Sequence, residues 1–198
     1  GDAVKLLNPL SKDLAELRTN LAYNMLQAAS FNMNRKSSNL MFYEFGNVYA
    51  KVESGYKEKH ILGLMKSGLT QKEGWLNGKV KTEMVHLVQS IESVLQNINV
   101  PYSISQTGNY LEIKSKKVII GSARKATSKE LKHFNIKQEV FLCFLDWTAI
   151  HKVNTPAIKY SSVSKFPEVQ RDLSLLLDEQ IKYEELEAMA KKMGGKIL

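Results

Sequence analysis

Residues 139–147 read Glu-Val-Phe-Leu-Cys-Phe-Leu-Asp-Trp, an apolar run of the length of one β-strand. Because neighbouring residues of a strand point to opposite faces, this run would place apolar side chains on both faces. We therefore predict a central strand of a sheet. Cys143, the only cysteine, is predicted to be a small buried hydrophobe rather than a disulfide partner. Such cysteine usage favours a reducing compartment, and we expect the cytoplasm.

Short strands and turns precede this central strand. Three strands are predicted at residues 102–105, 110–114 and 117–120. Two-residue turns at 108–109 and 115–116 join them, a length that is typical of antiparallel hairpins. A short helix over residues 128–133, capped by Ser128, is predicted to follow.

Further upstream, apolar residues recur at three- and four-residue spacing in two stretches, which predicts amphipathic helices. The first follows a candidate cap at Ser11 and is either one helix or two helices broken near residues 18–20. Its apolar stripe is Leu14, Leu17, Leu21, Met25 and Ala28. The second helix is stopped by Pro101. Its apolar stripe is Val80, Met84, Leu87, Val88, Ile91, Leu95 and Ile98.

Two further strands are predicted between these helices. Residues 40–52 are rich in aromatic and β-branched side chains, and Gly46 marks a bulge or a close backbone approach. Residues 60–66 form a second apolar run. The order is helices interspersed among strands with short connections. We therefore predict an α+β fold with a mostly antiparallel sheet flanked by helices.

The composition changes after a first domain that is predicted to span residues 1–155. Residues 156–166 are rich in serine and are predicted to be a linker. An apolar strand at 173–177 and a helix at 183–193 predict half of a ferredoxin-like βαβ unit within residues 167–198. The chain stops within that unit, so we expect an excised fragment with an incomplete second domain.

Four segments carry a family resemblance. They are residues 8–11 (Asn-Pro-Leu-Ser) with 17–21 (Leu-Arg-Thr-Asn-Leu), residues 42–49 (Phe-Tyr-Glu-Phe-Gly-Asn-Val-Tyr), Gly121 followed thirteen residues on by 134–136 (Phe-Asn-Ile), and residues 165–174 (Lys-Phe-Pro-Glu-Val-Gln-Arg-Asp-Leu-Ser). In this order they resemble the carboxy-terminal portion of the beta subunit of bacterial phenylalanine–tRNA ligase. The last segment is similar to the opening of that family's ferredoxin-fold anticodon-binding domain.

The resemblance implies a class II aminoacyl-tRNA synthetase core-like domain over residues 1–155 that does not itself catalyse. It also implies a catalytic alpha subunit as partner, in a tetramer of two alpha and two beta subunits, and contact with tRNA. The whole enzyme would use ATP and magnesium to make phenylalanyl-tRNA for protein synthesis, whereas no cofactor is expected in this fragment. An alternative is a free-standing RNA-binding or interaction module derived from the same core.

The residues at the catalytic positions argue against activity. A transferring phosphate needs fixed cations, and a guanidinium group binds it through two hydrogen bonds. Where class II enzymes place one arginine, this chain has Ala50 followed by Lys51, and residues 148–151 contain neither the second arginine nor a glycine-rich turn. We predict that the isolated chain is inactive. The family's Gly-x-x-Gly-x-x-His-Pro turn is also altered, at Arg124, Thr127 and Ser128.

Two sets of contact residues are candidates. In class II cores, the first helix and the strand after it form the subunit interface, and core packing is the alternative for the same positions. The interface candidates are Leu17, Arg18, Thr19, Leu21, Tyr23 and Asn24. The net charge of +8 favours a polyanionic partner, although a solvated hairpin surface is the alternative for the lysines. The tRNA-contact candidates are Lys114, Lys116, Lys117, Arg124 and Lys125.

Metal and membrane sites are not predicted. The four histidines, at positions 60, 86, 133 and 151, are scattered, without a pair four residues apart or a cysteine cluster that would favour zinc. No run of eighteen apolar residues is present, so no membrane contact is expected. An apolar patch left exposed on the isolated fragment would favour a homodimer or weak aggregation.

Overall fold

The computed structural model describes residues 3–11, 15–71, 78–153, 160, 169, 172–178, 181 and 183–194. The chain divides into two compact units, Gly1–Ala157 and Ile158–Leu198.

The first unit is built on a six-stranded, fully antiparallel sheet. Its strands are β1 (Leu40–Val52), β2 (Gly55–Ser67), β3 (Ser103–Thr107), β4 (Tyr110–Ser115), β5 (Val118–Lys125) and β6 (Val140–Asp146). Their spatial order is β1-β2-β6-β5-β4-β3, which confirms that the apolar run of β6 is an inner strand. Val140, Leu142, Cys143 and Leu145 are fully buried, as expected for a strand with both faces covered.

Helices cover both faces of this sheet. They are α1 (Ala22–Met33), α2 (Met84–Asn97), α3 (Ser128–His133) and α4 (Trp147–Lys152). Leu87, Ile91 and Leu95 of α2 pack on one face with Cys143 and Leu145. The other face packs against α1, whose buried residues lie in one cluster with Val140 and Leu142 of β6. The α+β prediction is therefore confirmed. None of the described helices has the length and apolar character that crossing a bilayer requires.

Of the two predicted arrangements, the structure favours the break near residues 18–20. α1 starts at Ala22, directly after that break, whereas the described residues 15–20 form no helix and Leu14 lies outside the described residues. The Leu17 N–H donates to Val4 O at 2.8 Å, so the chain before α1 forms a hairpin-like bridge instead of a helical turn. Asn20 accepts the Ala22 N–H at 3.0 Å, which satisfies one of the free donors at the start of the helix.

Three other boundaries differ from the prediction by a few residues. α2 starts at Met84 and not at Val80, since Val80 O accepts the Thr70 N–H at 2.9 Å in a short bridge. The second hairpin turn is at 116–117 rather than 115–116, because Ser115 is buried in β4. α3 is capped by Thr127 rather than Ser128.

β2 and β5 are longer than predicted. β2 begins at Gly55, and residues 55–60 pair with β1 alone in a two-stranded arm that extends past β6. Its polar residues 57–59 have no buried face, so the apolar pattern that marks a strand is missing there. β5 continues to Lys125 because its second half pairs with β6.

The second unit is described only in part. Its helix α5 (Tyr183–Gly194) confirms the predicted helix. The predicted strand at 173–177 is wrong, because residues 172–178 are exposed and form no strand. The ferredoxin-like half is therefore not confirmed, and most of the predicted linker lies outside the described residues.

Candidate subunit and nucleic-acid interfaces

Arg18 ties the segment before α1 to β1. Its Nε donates to Asn47 O at 2.8 Å, and its guanidinium forms an ion pair with Glu44 at 2.7 Å. The Arg18 carbonyl oxygen accepts the Tyr49 N–H at 2.9 Å. Both the backbone and the side chain of this interface candidate therefore serve the domain's own packing.

Gly46 makes this contact close. A Cβ atom at Gly46 would lie 2.3 Å from an Arg18 guanidinium nitrogen and 3.0 Å from Leu21 Cδ2. The predicted close approach at Gly46 is present, although a side chain rather than a backbone makes it. The strand pairs with β2 without a bulge.

We expect Gly46→Ala to displace the Arg18 guanidinium and to lower the free energy of unfolding by about 1–3 kcal/mol, because overpacking forces neighbouring groups to move. Urea denaturation measures the change. Gly78→Ala is the matched control, since no atom lies within 4 Å of a Cβ at that position. Equal stability of the two variants would contradict the close packing of Arg18.

Ala50 lies near the end of β1, at the position where the class II resemblance places an arginine. Lys51, the next residue, points to the opposite face of the ribbon because side chains alternate along a strand. The cation opposite Ala50 is Lys57 on β2, which the sequence analysis missed. An ammonium group is a point charge without the planar fork of a guanidinium.

The end of β6 carries a second ion pair on the face of the sheet that α1 covers. Asp146 Oδ2 lies 2.5 Å from Lys59 Nζ, and its Oδ1 accepts the Ala149 N–H at 2.9 Å, which caps α4. α4 itself contains no arginine. Among the described residues, no three side chains of histidine, cysteine, aspartate or glutamate lie close enough to hold a metal ion.

An aromatic and polar cluster joins the arm of β1 and β2 to α4. Phe45 stacks on His60 with ring centroids 5.6 Å apart and meets the Trp147 ring edge-on at 5.1 Å. His60 Nδ1 lies 2.6 Å from Asn47 Oδ1, and the Asn47 amide donates to Glu58 at 2.5 Å. Sequence reasoning missed this cluster. The sequence pattern that could have indicated it is the spacing of Phe45 and Asn47, which are two residues apart and therefore lie on one face of a strand.

The interface candidates differ in their exposure. Leu21 is fully buried in the core of this chain, and Arg18 is half-buried against β1. Thr19, Tyr23 and Asn24 are exposed. The Tyr23 ring contacts the rings of two residues at the end of α3 edge-on, His133 at 6.3 Å and Phe134 at 5.7 Å.

Four of the five tRNA-contact candidates lie at the two ends of β5, and the fifth, Lys114, lies on β4. Lys116 and Lys117 are exposed in the turn before β5, whereas Arg124 and Lys125 end the strand. Lys114 forms an ion pair with Glu112 at 2.5 Å, and Lys125 forms one with Glu139. The structure therefore does not gather the five candidates into one compact basic patch.

Arg124 binds Glu130 through two parallel hydrogen bonds, of 2.8 and 2.7 Å. Glu130 also accepts hydrogen bonds from the Thr127 N–H and hydroxyl, each 2.8 Å long, and Thr127 caps α3 in return. The Arg124 hydrogen bonds, helped by those from Thr127, hold the pKa of Glu130 at about 2 despite its partial burial. This network occupies the turn where the chain departs from the family pattern.

Comparison with known proteins decides the family. The sequence model of the phenylalanyl tRNA synthetase beta chain CLM domain matches residues 1–147. The chain belongs to this family.

Relatives of this CLM domain align with nearly the whole chain. The phenylalanine–tRNA ligase beta subunits of Bacteroides fragilis and Bacteroides thetaiotaomicron are each 33% identical over 98% of this chain. That of Bacillus subtilis is 29% identical over 96% of it. The chain spans about a quarter of the length of these curated relatives.

Solved structures share the fold at low sequence identity. Two structures of pyrrolysyl-tRNA synthetase from Desulfitobacterium hafniense match with TM-scores of 0.58 and 0.55, at 14% and 12% identity. The matches cover 73% and 69% of this chain and 51% and 49% of the solved chains. The CLM domain therefore shares its fold with these two synthetase structures.

Proposed function

We propose that this chain is a non-catalytic scaffold and tRNA-contacting part of a phenylalanine–tRNA ligase beta subunit. It would support the formation of phenylalanyl-tRNA by an alpha subunit during protein synthesis in the cytoplasm. The observation that carries the non-catalytic role is Ala50, which stands on β1 where a class II enzyme needs a guanidinium group.

The cations around Ala50 do not replace that group. Arg18 and Lys59 are each paired with a carboxylate, Glu44 and Asp146 respectively, which offsets their charge. Lys57 faces Ala50 across the ribbon but offers no bidentate fork. The ATP and magnesium of the whole enzyme would therefore be bound by other parts of the assembly, in a tetramer of two alpha and two beta subunits.

The exposed face at the start of α1 is our candidate for the contact with the alpha subunit. Thr19, Tyr23 and Asn24 are exposed there, and Tyr23 lies beside the aromatic end of α3. An exposed aromatic residue suits the centre of a protein interface. Leu21 and Arg18 would support this face from inside the domain.

We expect the purified chain to show no phenylalanine-dependent exchange of pyrophosphate into ATP, and to co-purify with a co-expressed alpha subunit. Clear exchange by the chain alone would overturn the non-catalytic role. Stable RNA binding without capture of the alpha subunit would instead support a free-standing RNA-binding module.

Tyr23→Glu should reduce the amount of alpha subunit that co-purifies with the chain, whereas Tyr56→Glu, on the arm of β1 and β2, should not.

The proposed tRNA contact centres on the turn between β4 and β5. Lys116 and Lys117 are exposed there, and phosphate contacts made by lysines are lost steeply as salt rises. We expect Lys116→Glu with Lys117→Glu to lower the slope of log affinity against log salt by roughly 2. Filter binding of tRNA at several salt concentrations measures this slope. The same double charge reversal at Lys51 and Lys57 is the control, and an equal loss there would contradict a contact at the turn.

A further inference from the structure

Among the described residues, the outer edge of the sheet has no pairing partner along part of β1. β1 is the first strand in the spatial order and has 13 residues, more than twice the usual strand length of about 5–6 residues. Arg18 bonds to Asn47 O and to the Tyr49 N–H on the side of β1 away from β2. Backbone groups alternate along a strand, so those of Met41, Tyr43 and Phe45 face the same outer side.

This open edge has little of the protection that natural edge strands use. Within the described residues, no backbone hydrogen bond joins the outward groups of residues 41, 43 and 45. Residues 40–46 contain no proline, bulge or lysine, and their one charge, Glu44, is paired with Arg18. The side chains of Met41, Tyr43 and Phe45 are 68%, 75% and 46% exposed.

We propose that a second copy of this chain pairs with β1 along residues 40–46, antiparallel and with its two-fold axis at Tyr43. β1 begins at Leu40, and Arg18 occupies the edge from Asn47 onward. The open edge is therefore centred on residue 43, which is what an isologous strand pair requires. The pairing would join two six-stranded sheets into one.

The side chains fit this register. Met41 would lie opposite Phe45 of the second copy, and the two Tyr43 side chains would lie opposite each other, so apolar groups meet apolar groups. Glu44 would lie opposite Phe42, and Glu44 brings no uncompensated charge because Arg18 already pairs with it. The interface is thus locally neutral, although the two chains of net charge +8 repel each other at long range.

The salt dependence of binding distinguishes a second copy of this chain from an RNA strand as the partner of β1. An RNA strand stacked on Tyr43 and Phe45 would bind more weakly as salt rises, since its affinity depends on phosphate contacts. Pairing of two copies should instead strengthen, because salt screens their mutual repulsion. The inference involves this chain alone and does not depend on the proposed function.

Cross-linking tests the two-fold axis. In an antiparallel pair, directly opposite hydrogen-bonded residues have Cα atoms about 5.5 Å apart, within the range that a disulfide spans. We expect Tyr43→Cys to form a disulfide-linked dimer under mild oxidation, because Cys143 is buried and does not compete. Tyr56→Cys is the control, since Tyr56 is also 75% exposed but lies on the arm. Equal cross-linking of the two variants would overturn the proposal.

The register has its own test. Met41→Cys and Phe45→Cys should cross-link poorly when each is oxidised alone, and efficiently when the two are mixed. Cross-linking of each variant with itself, to the same extent as in the mixture, would overturn this register.

Sedimentation of the whole chain completes the test. We expect a dimer of twice 22.4 kDa that tightens as salt rises. Tyr43→Lys should raise its dissociation constant about tenfold or more, and Tyr56→Lys should leave it unchanged. A monomer at every concentration would overturn the proposal, as would RNA binding that Tyr43→Lys abolishes with no dimer present.

Discussion

Leu145→Ala is expected to lower the free energy of unfolding of the first unit by about 2–5 kcal/mol. Leu145 is fully buried on the inner strand β6, in the cluster that packs against α2. A Cβ atom at Gly121, on the neighbouring strand, would lie 2.7 Å from Leu145 Cδ2, so the leucine fills the space above that glycine. Truncation removes buried methyl groups and leaves a cavity that a six-stranded sheet cannot close easily.

The measurement is urea denaturation followed by circular dichroism, with Leu7→Ala as the control. Leu7 is 99% exposed, so the same chemical change there should alter stability by less than about 0.5 kcal/mol. The predicted loss is a large share of the stability of about 5–15 kcal/mol that is typical of a domain. A loss of stability for Leu145→Ala as small as that for Leu7→Ala would mean that Leu145 of β6 does not lie in the hydrophobic core.

Patterns of apolar residues predicted the elements that bury a face. β6 and α2 were placed correctly because their apolar periods follow directly from burial against both faces or one face. The arm formed by residues 55–60 was missed because neither of its faces is buried, and cross-strand hydrogen bonds alone define it. The predicted strand at 173–177 shows the converse, since this apolar run pairs with no strand among the described residues and forms no strand itself.

Side-chain partners far apart in sequence were beyond prediction. Arg18 was predicted to face a partner or the core, but its ion pair with Glu44 joins residues 26 positions apart. The pairing of Ala50 with Lys57 depends on the register of the β1–β2 hairpin, which the sequence alone left open. The close approach of Arg18 to Gly46, in contrast, had a visible signal, since a glycine inside a strand indicates such an approach.

The altered turn before α3 also has a structural explanation. Arg124 and Thr127 stand where the family pattern has glycine and histidine, and both bond to Glu130. Together they close a capping box and add a bidentate ion pair across the turn. In this chain, the capping box and the ion pair therefore fix the turn.

This network should make the stability of the domain depend on pH. The folded pKa of Glu130 is about 2, below its ordinary value of 4.5, so the carboxylate stabilises the fold above pH 4.5. That contribution is lost as the pH falls from 4.5 through about 2, because the group binds a proton in the unfolded chain first. At pH 7 we expect Glu130→Gln to cost about 1–3 kcal/mol, a range that allows for the partial exposure of Arg124.

The comparison of wild type with Glu130→Gln at several pH values tests this assignment. The difference in unfolding free energy between the two proteins should be constant from pH 7 to about pH 5 and should shrink towards zero at about pH 2. The reason is that only the wild type has a titratable side chain at position 130. Glu139→Gln is the control, because its partner Lys125 and Glu139 itself are both half-exposed and such pairs contribute less than about 1 kcal/mol. A difference for Glu130→Gln that persists unchanged at about pH 2 would show that shape, and not the charge held by Arg124, stabilises the turn.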